Sequence, residues 1–431
     1  MNISGLVDKL KNCPCGREHT VNIRAVEIGA GVRERTGEIL KSNGFPTKIL
    51  VAADKNTLAA AGDIPQILEQ SGFAIQLKVY DNMRTAHMDD VNHIVSLLGG
   101  VDGVLSVGSG SLNDICRLAA FRADKAFAIF ATAPSMDGFA SDSASITDNN
   151  FKLSYASRQP SVIIGDTKVL AAAPSELKSA GFGDMIAKYI AIADWKLSHL
   201  ITGEYYCENV AEITRTALKR VVSLADKVTQ NDEESAGAIM EALVLTGIAM
   251  KLGHSVRPAS GAEHIVSHFW EIKKLERGLT SDFHGKKVGV ATVMINRIYK
   301  QICTAAVPSR FSDENLDWGK IYEVYGGNFA DDIKNLNSPT VTDETTVDII
   351  RENWDEICRI MQDELPSDEE LTAIMHLAGA AVTLPEISVS DELGLLGLEY
   401  HPYMRRRMTL ARLAPMLNVR VDYKKAAGIN A

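Results

Sequence analysis

The stretch GVLSVGSGSLNDICRLAA, residues 103–120, decides how the N-terminal half folds. Val104, Leu105 and Val107 form an apolar run suited to a covered strand, and Ile115, Leu118 and Ala119 recur at helical spacing. Between them runs Gly108-Ser109-Gly110-Ser111, a strand-to-helix turn. Glycine there lets backbone approach a ligand, and the first amides of the helix form an anion site that suits a diphosphate. The same residues also suit a plain tight turn that needs glycine only for its conformation. The spacing is neither Gly-x-Gly-x-x-Gly nor a P-loop, since no Gly-Lys-Ser/Thr follows, so the surroundings must decide.

Outward from this turn, residues 21–170 alternate short apolar runs with helical segments. RAVEIG, TKILVAAD, AIQLKVY, GVLSVGSG, KAFAIFATAPS and SVIIGDTKVL read as strands. That pattern predicts an α/β doubly wound sheet over residues 1–170 as a dinucleotide-binding domain. Long helical patterns dominate 171–431, predicting an all-helical second domain that binds metal and substrate, with the ligand in the cleft between the two.

A chain of 431 residues with 46% hydrophobic residues has enough apolar material for two cores. The formal net charge of −10 argues against a nucleic-acid partner. Arg405, Arg406, Arg407 and Arg412 form the one dense basic cluster, read as a solvated or subunit-contact helix face. No membrane-length apolar run and no signal-peptide core stand out, and six scattered cysteines suit a reducing compartment, so the expectation is a cytoplasmic protein without a membrane partner. Cys13, Cys15 and His19 in CPCGREH look like metal ligands, but with no second half such as a later Cys-x-x-Cys the favoured reading is an ordered N-terminal turn.

The helical half places rare ligand types beside glycines and helix starts. Asp184 follows Gly-Phe-Gly at what reads as a helix N-terminus, where it could simply cap. His264 and His268 stand four apart on one helix face, and His284 precedes Gly285 and another helix. Each has an ordinary structural reading alone; one carboxylate and two imidazoles together suit a catalytic divalent metal such as zinc or nickel. The loop FATAPSMDGFASDSASIT adds Thr132, Ser135, Asp137 and Ser141 after a strand end, where parallel sheets bind ligands.

Five signatures, Gly-Ser-Gly-Ser-Leu-Asn-Asp, Thr-Ala-Pro-Ser-Met-Asp-Gly-Phe, Gly-Phe-Gly-Asp, Ser-Gly-Ala-Glu-His-x-x-x-His and Phe-His-Gly-x-x-Val-Gly, occur in an order that resembles the metal-dependent glycerol-1-phosphate dehydrogenases. The resemblance is closest to the bacterial branch and spans most of residues 21–400; that family lies in the iron-containing alcohol dehydrogenase and dehydroquinate synthase superfamily. It implies Asp184, His264 and His284 as metal ligands, and Asp137 and His268 as catalytic groups that contact substrate beside Asp184. It further implies cofactor contacts from Gly108, Ser109, Gly110, Ser111, Leu112, Asn113, Asp114, Thr132, Ala133, Pro134, Ser135 and Ser141. Asp54 matches the acidic residue that meets the adenosine ribose. Ser109 departs from the superfamily's run of three glycines.

The implied activity is reversible reduction of dihydroxyacetone phosphate to sn-glycerol 1-phosphate, serving phospholipid biosynthesis, with NAD(H), or alternatively NADP(H), and one divalent metal ion in a homodimer. A dehydroquinate synthase-like lyase, another polyol dehydrogenase, and an idle sensor of NAD and sugar phosphate are the alternatives. Arg257, in a loop seven residues before His264, is the candidate for the substrate phosphate, with a loop-ordering ion pair as the rival reading.

Overall fold

The computed structural model describes residues 1–148, 151–304, 311–327 and 329–429. Six parallel strands form the main sheet: β1 (Ala25–Gly29), β2 (Lys48–Asp54), β3 (Ala74–Tyr80), β4 (Gly103–Gly108), β5 (Ala126–Ala131) and β8 (Val162–Asp166). Their order is β1-β8-β5-β4-β2-β3. A separate antiparallel pair, β6 (Ser143–Asp148) and β7 (Phe151–Ala156), leaves the sheet as a hairpin.

The central strands are apolar because both faces are covered. Leu50, Ala52, Val104, Phe127 and Ile129 pack into one core, while Ile49, Val51, Leu105, Val107, Ala128 and Phe130 pack into another. These residues alternate along each strand, as the two-residue period of a pleated strand requires. From β2 the chain runs outward to β3, whereas from β4 it returns through β5 toward β8. The direction therefore reverses between β2 and β4, and the crevice at their C-terminal ends is the natural ligand site of such a sheet.

Beyond Asp166 the described elements are helical, and a third core unites Leu197, Phe269, Trp270, Met294 and Tyr299 with the C-terminal helices. The helix Glu233–Leu252 corrects the expectation that no run is long and apolar enough to cross a membrane: it has 20 residues, and an 18-residue window within it has a mean hydropathy of 1.4. It is mostly buried and packs on β1, β8 and the 137–140 turn, which explains an apolar composition all round. The basic cluster is corrected in part: Arg405 and Arg406 are exposed, as a solvated face would be, but they stand in a bend and not on a helix, Arg407 donates to Ser260 O at 2.9 Å, and Arg412 is fully buried against Glu314.

Candidate active site

β4 ends at Gly108, and the helix Gly110–Arg122 begins behind an extended Ser109 with no side chain capping its amides. Open amides at a helix start are what an anion needs. Gly108 packs closely on Leu112: a Cβ would stand 2.6 Å from its Cδ1 and 3.1 Å from its Cβ, so the leucine would have to move. Asn113 is buried, and neither side-chain amide atom finds a partner among the described residues. Ser111 Oγ donates to Arg84 O at 2.9 Å. Burial pushes the Asp114 carboxyl up to about 6, against the opposing pull of Arg117. Arg117 itself spans Ser143 O at 2.7 Å and Gly138 O at 2.6 Å, fixing the 137–143 loop.

Across the strand-order reversal, Asp54 ends β2, one residue past the register pair Ala53–Val107. Its Oδ1 accepts from Thr57 N at 2.8 Å and its Oδ2 from Met83 N at 3.1 Å, so it caps the helix Lys55–Ala61 and ties down the 83 loop.

The β5 loop links this edge to the helical half. Thr132 N donates to Gly108 O, and Pro134 O presses on Gly181, where a Cβ would come within 1.9 Å. Ser141 Oγ accepts from Ser143 N at 3.1 Å. Two residues beyond Ser135, Asp137 N donates to Asp184 Oδ2 at 3.0 Å.

Asp184 corrects the sequence reading of a helix N-terminus. It lies in the last turn of the helix Ser175–Ile186, fully buried. Gly181 and Gly183 look like helix breakers but serve as contact points: a Cβ on Gly183 would stand 2.6 Å from Gly285 O. That close crossing brings His284, first residue of the helix His284–Thr304, to the carboxylate, with Nε2 4.0 Å from Asp184 Oδ2. His264, in the first turn of the helix Ala262–Glu276, places Nε2 3.7 Å from Asp184 Oδ1. The ligand atoms of the three residues lie within 4.8 Å of one another. Bonds of about 2.0–2.2 Å to one tetrahedral metal set ligand separations of roughly 3.3–3.6 Å, so the two Asp184–histidine distances would each close by roughly 0.1–0.7 Å.

The donor set is chemically ready for a cation. Burial and the Lys188 ammonium hold His264 neutral, pushed down to about 3, and burial with the two neighbouring imidazoles depresses His284. Neutral imidazoles are the ligating form. His264 Nδ1 lies 2.6 Å from buried Glu263 Oε1, which orients the ring and turns Nε2 toward Asp184. Lys188, one turn after Asp184, is fully buried and donates to Asp137 Oδ2 at 2.6 Å, Asp184 Oδ1 at 2.9 Å and Ala259 O at 3.1 Å. Burial alone would depress its ammonium, but Asp137 and Asp184 outweigh that and hold it above its ordinary range.

His268 faces the same centre, its ring centroid 5.7 Å from that of His284. Its Nδ1 lies 3.6 Å from Glu271 Oε2, and Glu271 Oε1 pairs with Lys152 Nζ at 2.9 Å and Lys287 Nζ at 3.2 Å. Lys152 comes from β7 and Lys287 from the turn after His284. Sequence reading missed Lys152, Lys188, Glu263, Glu271 and Lys287. Only Lys188, at i+4 from Asp184, carried a local signal.

Arg257 does not join this group. It is buried, with Nη2 2.6 Å and Nε 3.0 Å from Glu204, Nη1 on Met408 O and Nη2 on Ser198 Oγ. The guanidinium is committed to the scaffold, and the expectation that it holds a phosphate is withdrawn.

The family model for iron-containing alcohol dehydrogenases matches residues 27–174. The chain is 29% identical to the glycerol-1-phosphate dehydrogenase, NAD(P)+, of Halalkalibacterium halodurans over 92% of this chain and 94% of that one. It is 30% identical to the protein of the same name from Bacillus licheniformis, over 94% and 92%. Among solved structures, glycerol dehydrogenase from Schizosaccharomyces pombe superposes with a TM-score of 0.63 at 15% identity, covering 96% of this chain and 89% of that one. The chain belongs to the glycerol-1-phosphate dehydrogenase family, within the iron-containing alcohol dehydrogenases.

Proposed function

We propose that this dehydrogenase reduces dihydroxyacetone phosphate reversibly to sn-glycerol 1-phosphate, using NAD(P)H and a divalent metal, zinc or nickel. The observation that carries the proposal is the 3.0 Å bond from Asp137 N to Asp184 Oδ2, which joins the loop at the sheet's ligand edge directly to the Asp-His-His cluster. A cofactor on that edge and a carbonyl at the cluster would meet across one loop, which is the alignment a two-substrate transfer needs.

Asp184, His264 and His284 would hold the cation, which supplies Lewis acidity to the ketone oxygen while nicotinamide supplies hydride. Glu263 would keep His264 in the ligating tautomer. Lys188 would hold Asp137 and Asp184 in register, and Asp137 would face a substrate hydroxyl. His268, partly exposed at the rim, would pass the proton that the new hydroxyl requires.

For the cofactor, Gly108 to Asp114, Thr132 to Ser135 and Ser141 are assigned to the dinucleotide. Asp54 is assigned to the ribose, where its remaining lone pairs would accept from hydroxyls and its charge would oppose a 2′-phosphate, favouring NAD over NADP. The substrate phosphate is reassigned from Arg257 to Lys152 and Lys287. Two lysines share one carboxylate, Glu271, beside three neutral imidazoles, so the cluster carries one surplus positive charge for a phosphoester to neutralise. A cytoplasmic homodimer in phospholipid synthesis completes the proposal, on the family resemblance and on six free thiols.

The test is turnover of dihydroxyacetone phosphate and of unphosphorylated dihydroxyacetone with NADH, with chiral analysis of the product. A strong preference for the phosphate ester and formation of the sn-1 enantiomer support the proposal. Equal efficiency on both substrates would refute it.

A further inference from the structure

The segment CPCGREH, residues 13–19, has no part in the site above, and the sequence offers no partner half for it. The fold supplies one. Cys207, at the start of the helix Glu208–Val222, brings its sulfur 3.4 Å from Cys13 Sγ and 3.9 Å from His19 Nε2. Cys15 Sγ lies 3.2 Å from His19 Nε2, and the four ligand atoms fall within 4.8 Å of one another. A tetrahedral zinc ion with bonds of about 2.3 Å to sulfur and about 2.0 Å to nitrogen sets ligand edges of roughly 3.5–3.8 Å. The observed separations of 3.2–3.9 Å bracket those edges.

The surroundings are arranged as a metal's outer shell. His19 is buried, and its Nδ1 lies 2.7 Å from Leu252 O, a carbonyl that can only accept. The proton is therefore on Nδ1, and the lone pair of Nε2 faces the sulfurs. Tyr205 Oη donates to Cys15 Sγ at 3.3 Å, and Asn209 Nδ2 donates to Cys13 Sγ at 3.3 Å, so two of the sulfurs receive donors as thiolates would. Cys207 is 1% exposed. Three sulfurs and one imidazole fill a tetrahedron and leave no open position, the mark of a structural site.

We propose that Cys13, Cys15, His19 and Cys207 form a second, structural zinc site that clips the N-terminal segment to the helical half of the protein. The ligands are 188–194 residues apart in sequence across the clip, and the Leu252 carbonyl that orients His19 closes the helix packed under the sheet. Zinc there fixes where the N-terminal segment meets two helices that no other covalent link joins to it.

The test counts metal in protein purified under reductant. Wild-type protein should hold two divalent metal ions per chain, at least one of them zinc; His284→Ala should keep that zinc, and Cys207→Ser should lose it. Cobalt(II)-loaded His284→Ala needs no cysteine variant and should show the near-ultraviolet charge-transfer band of thiolate bound to cobalt; Cys15→Ser in that background should lose it. Absence of both the structural zinc and the cobalt–thiolate band would overturn the proposal, as would an intact mass showing a Cys13–Cys207 disulfide. Because the readouts are metal stoichiometry and a thiolate band, the result is independent of whether the proposed reaction is correct.

Discussion

Gly285→Ala should separate the proposed metal ligands Asp184 and His284 without replacing either. Gly285 sits where the helices Ser175–Ile186 and His284–Thr304 cross, and a Cβ there would stand 2.0 Å from Ala180 O, 2.7 Å from Ala180 C and 3.0 Å from Asp184 Cβ. The obstacle is backbone, which cannot swing aside, so the helices must part by about 1.4 Å to bring the 2.0 Å approach to ordinary contact. Overpacking of this kind costs ~1–3 kcal/mol, which a protein of this size survives. Metal sites tolerate errors of about 0.2 Å in ligand distance, so the shift far exceeds what Asp184 and His284 can absorb together. We expect metal affinity to fall by roughly 100-fold, as the upper range for disturbed outer-shell partners suggests. Metal titration of stripped protein, with circular dichroism melts and kcat/KM alongside, measures this. Gly99→Ala, with nothing within 4 Å of its Cβ, is the control. A folded Gly285→Ala protein that keeps wild-type metal affinity would refute the argument that glycine contact sets the ligand geometry.

Arg257→Ala should destabilise the protein by less than the ~3–5 kcal/mol of a fully buried broken pair, because Glu204 is a third exposed. It should change KM equally for phosphorylated and unphosphorylated substrates; denaturant melts and paired kinetics check this, and a selective loss on the phosphate ester would restore the withdrawn role. Lys152→Met and Lys287→Met should each raise KM for dihydroxyacetone phosphate by roughly 10-fold or more, the worth of one charge-assisted hydrogen bond, with little effect on dihydroxyacetone. Burial lowers the Lys287 ammonium to about 8, so KM for the phosphate ester should climb as pH rises through that value. Stability moves the other way: the unfolded lysine, with its ordinary value of 10.5, keeps its proton longer than the native one, so this group adds stability between pH 8 and 10.5. A pH-independent KM in wild type would count against Lys287 as a phosphate ligand.

All six strands of the main sheet were legible: the four central ones, β8, β5, β4 and β2, are apolar runs because both faces are covered, whereas the edge strand β3 shows itself by the alternation of Ile75, Leu77 and Val79 with Gln76 and Lys78. The β6–β7 hairpin was not, since SASITD and FKLSYA have mixed patterns and pair outside the core sheet. Asp184 was found as a residue but misread in place: Gly181 and Gly183 look like helix breaks until the facing helix is known. The residues Lys152, Glu271 and Lys287 come from a hairpin and two helices, and no local spacing joins them. Arg257 shows the same limit in reverse, since a charged loop residue gives no sign that a carboxylate 53 positions away already holds it. Cys207 lies so far from CPCGREH that only the fold joins them.

The central claim is that Asp184, His264 and His284 hold the metal on which reduction depends. Its most direct test is the rate of dihydroxyacetone phosphate reduction in chelator-stripped protein as zinc or nickel is titrated back, with His264→Ala and His284→Ala beside wild type. Turnover should be negligible in stripped protein, recover in wild type in proportion to metal bound, and not recover in either folded variant. Full activity in the stripped wild type, or metal-restored activity in either variant, would contradict it.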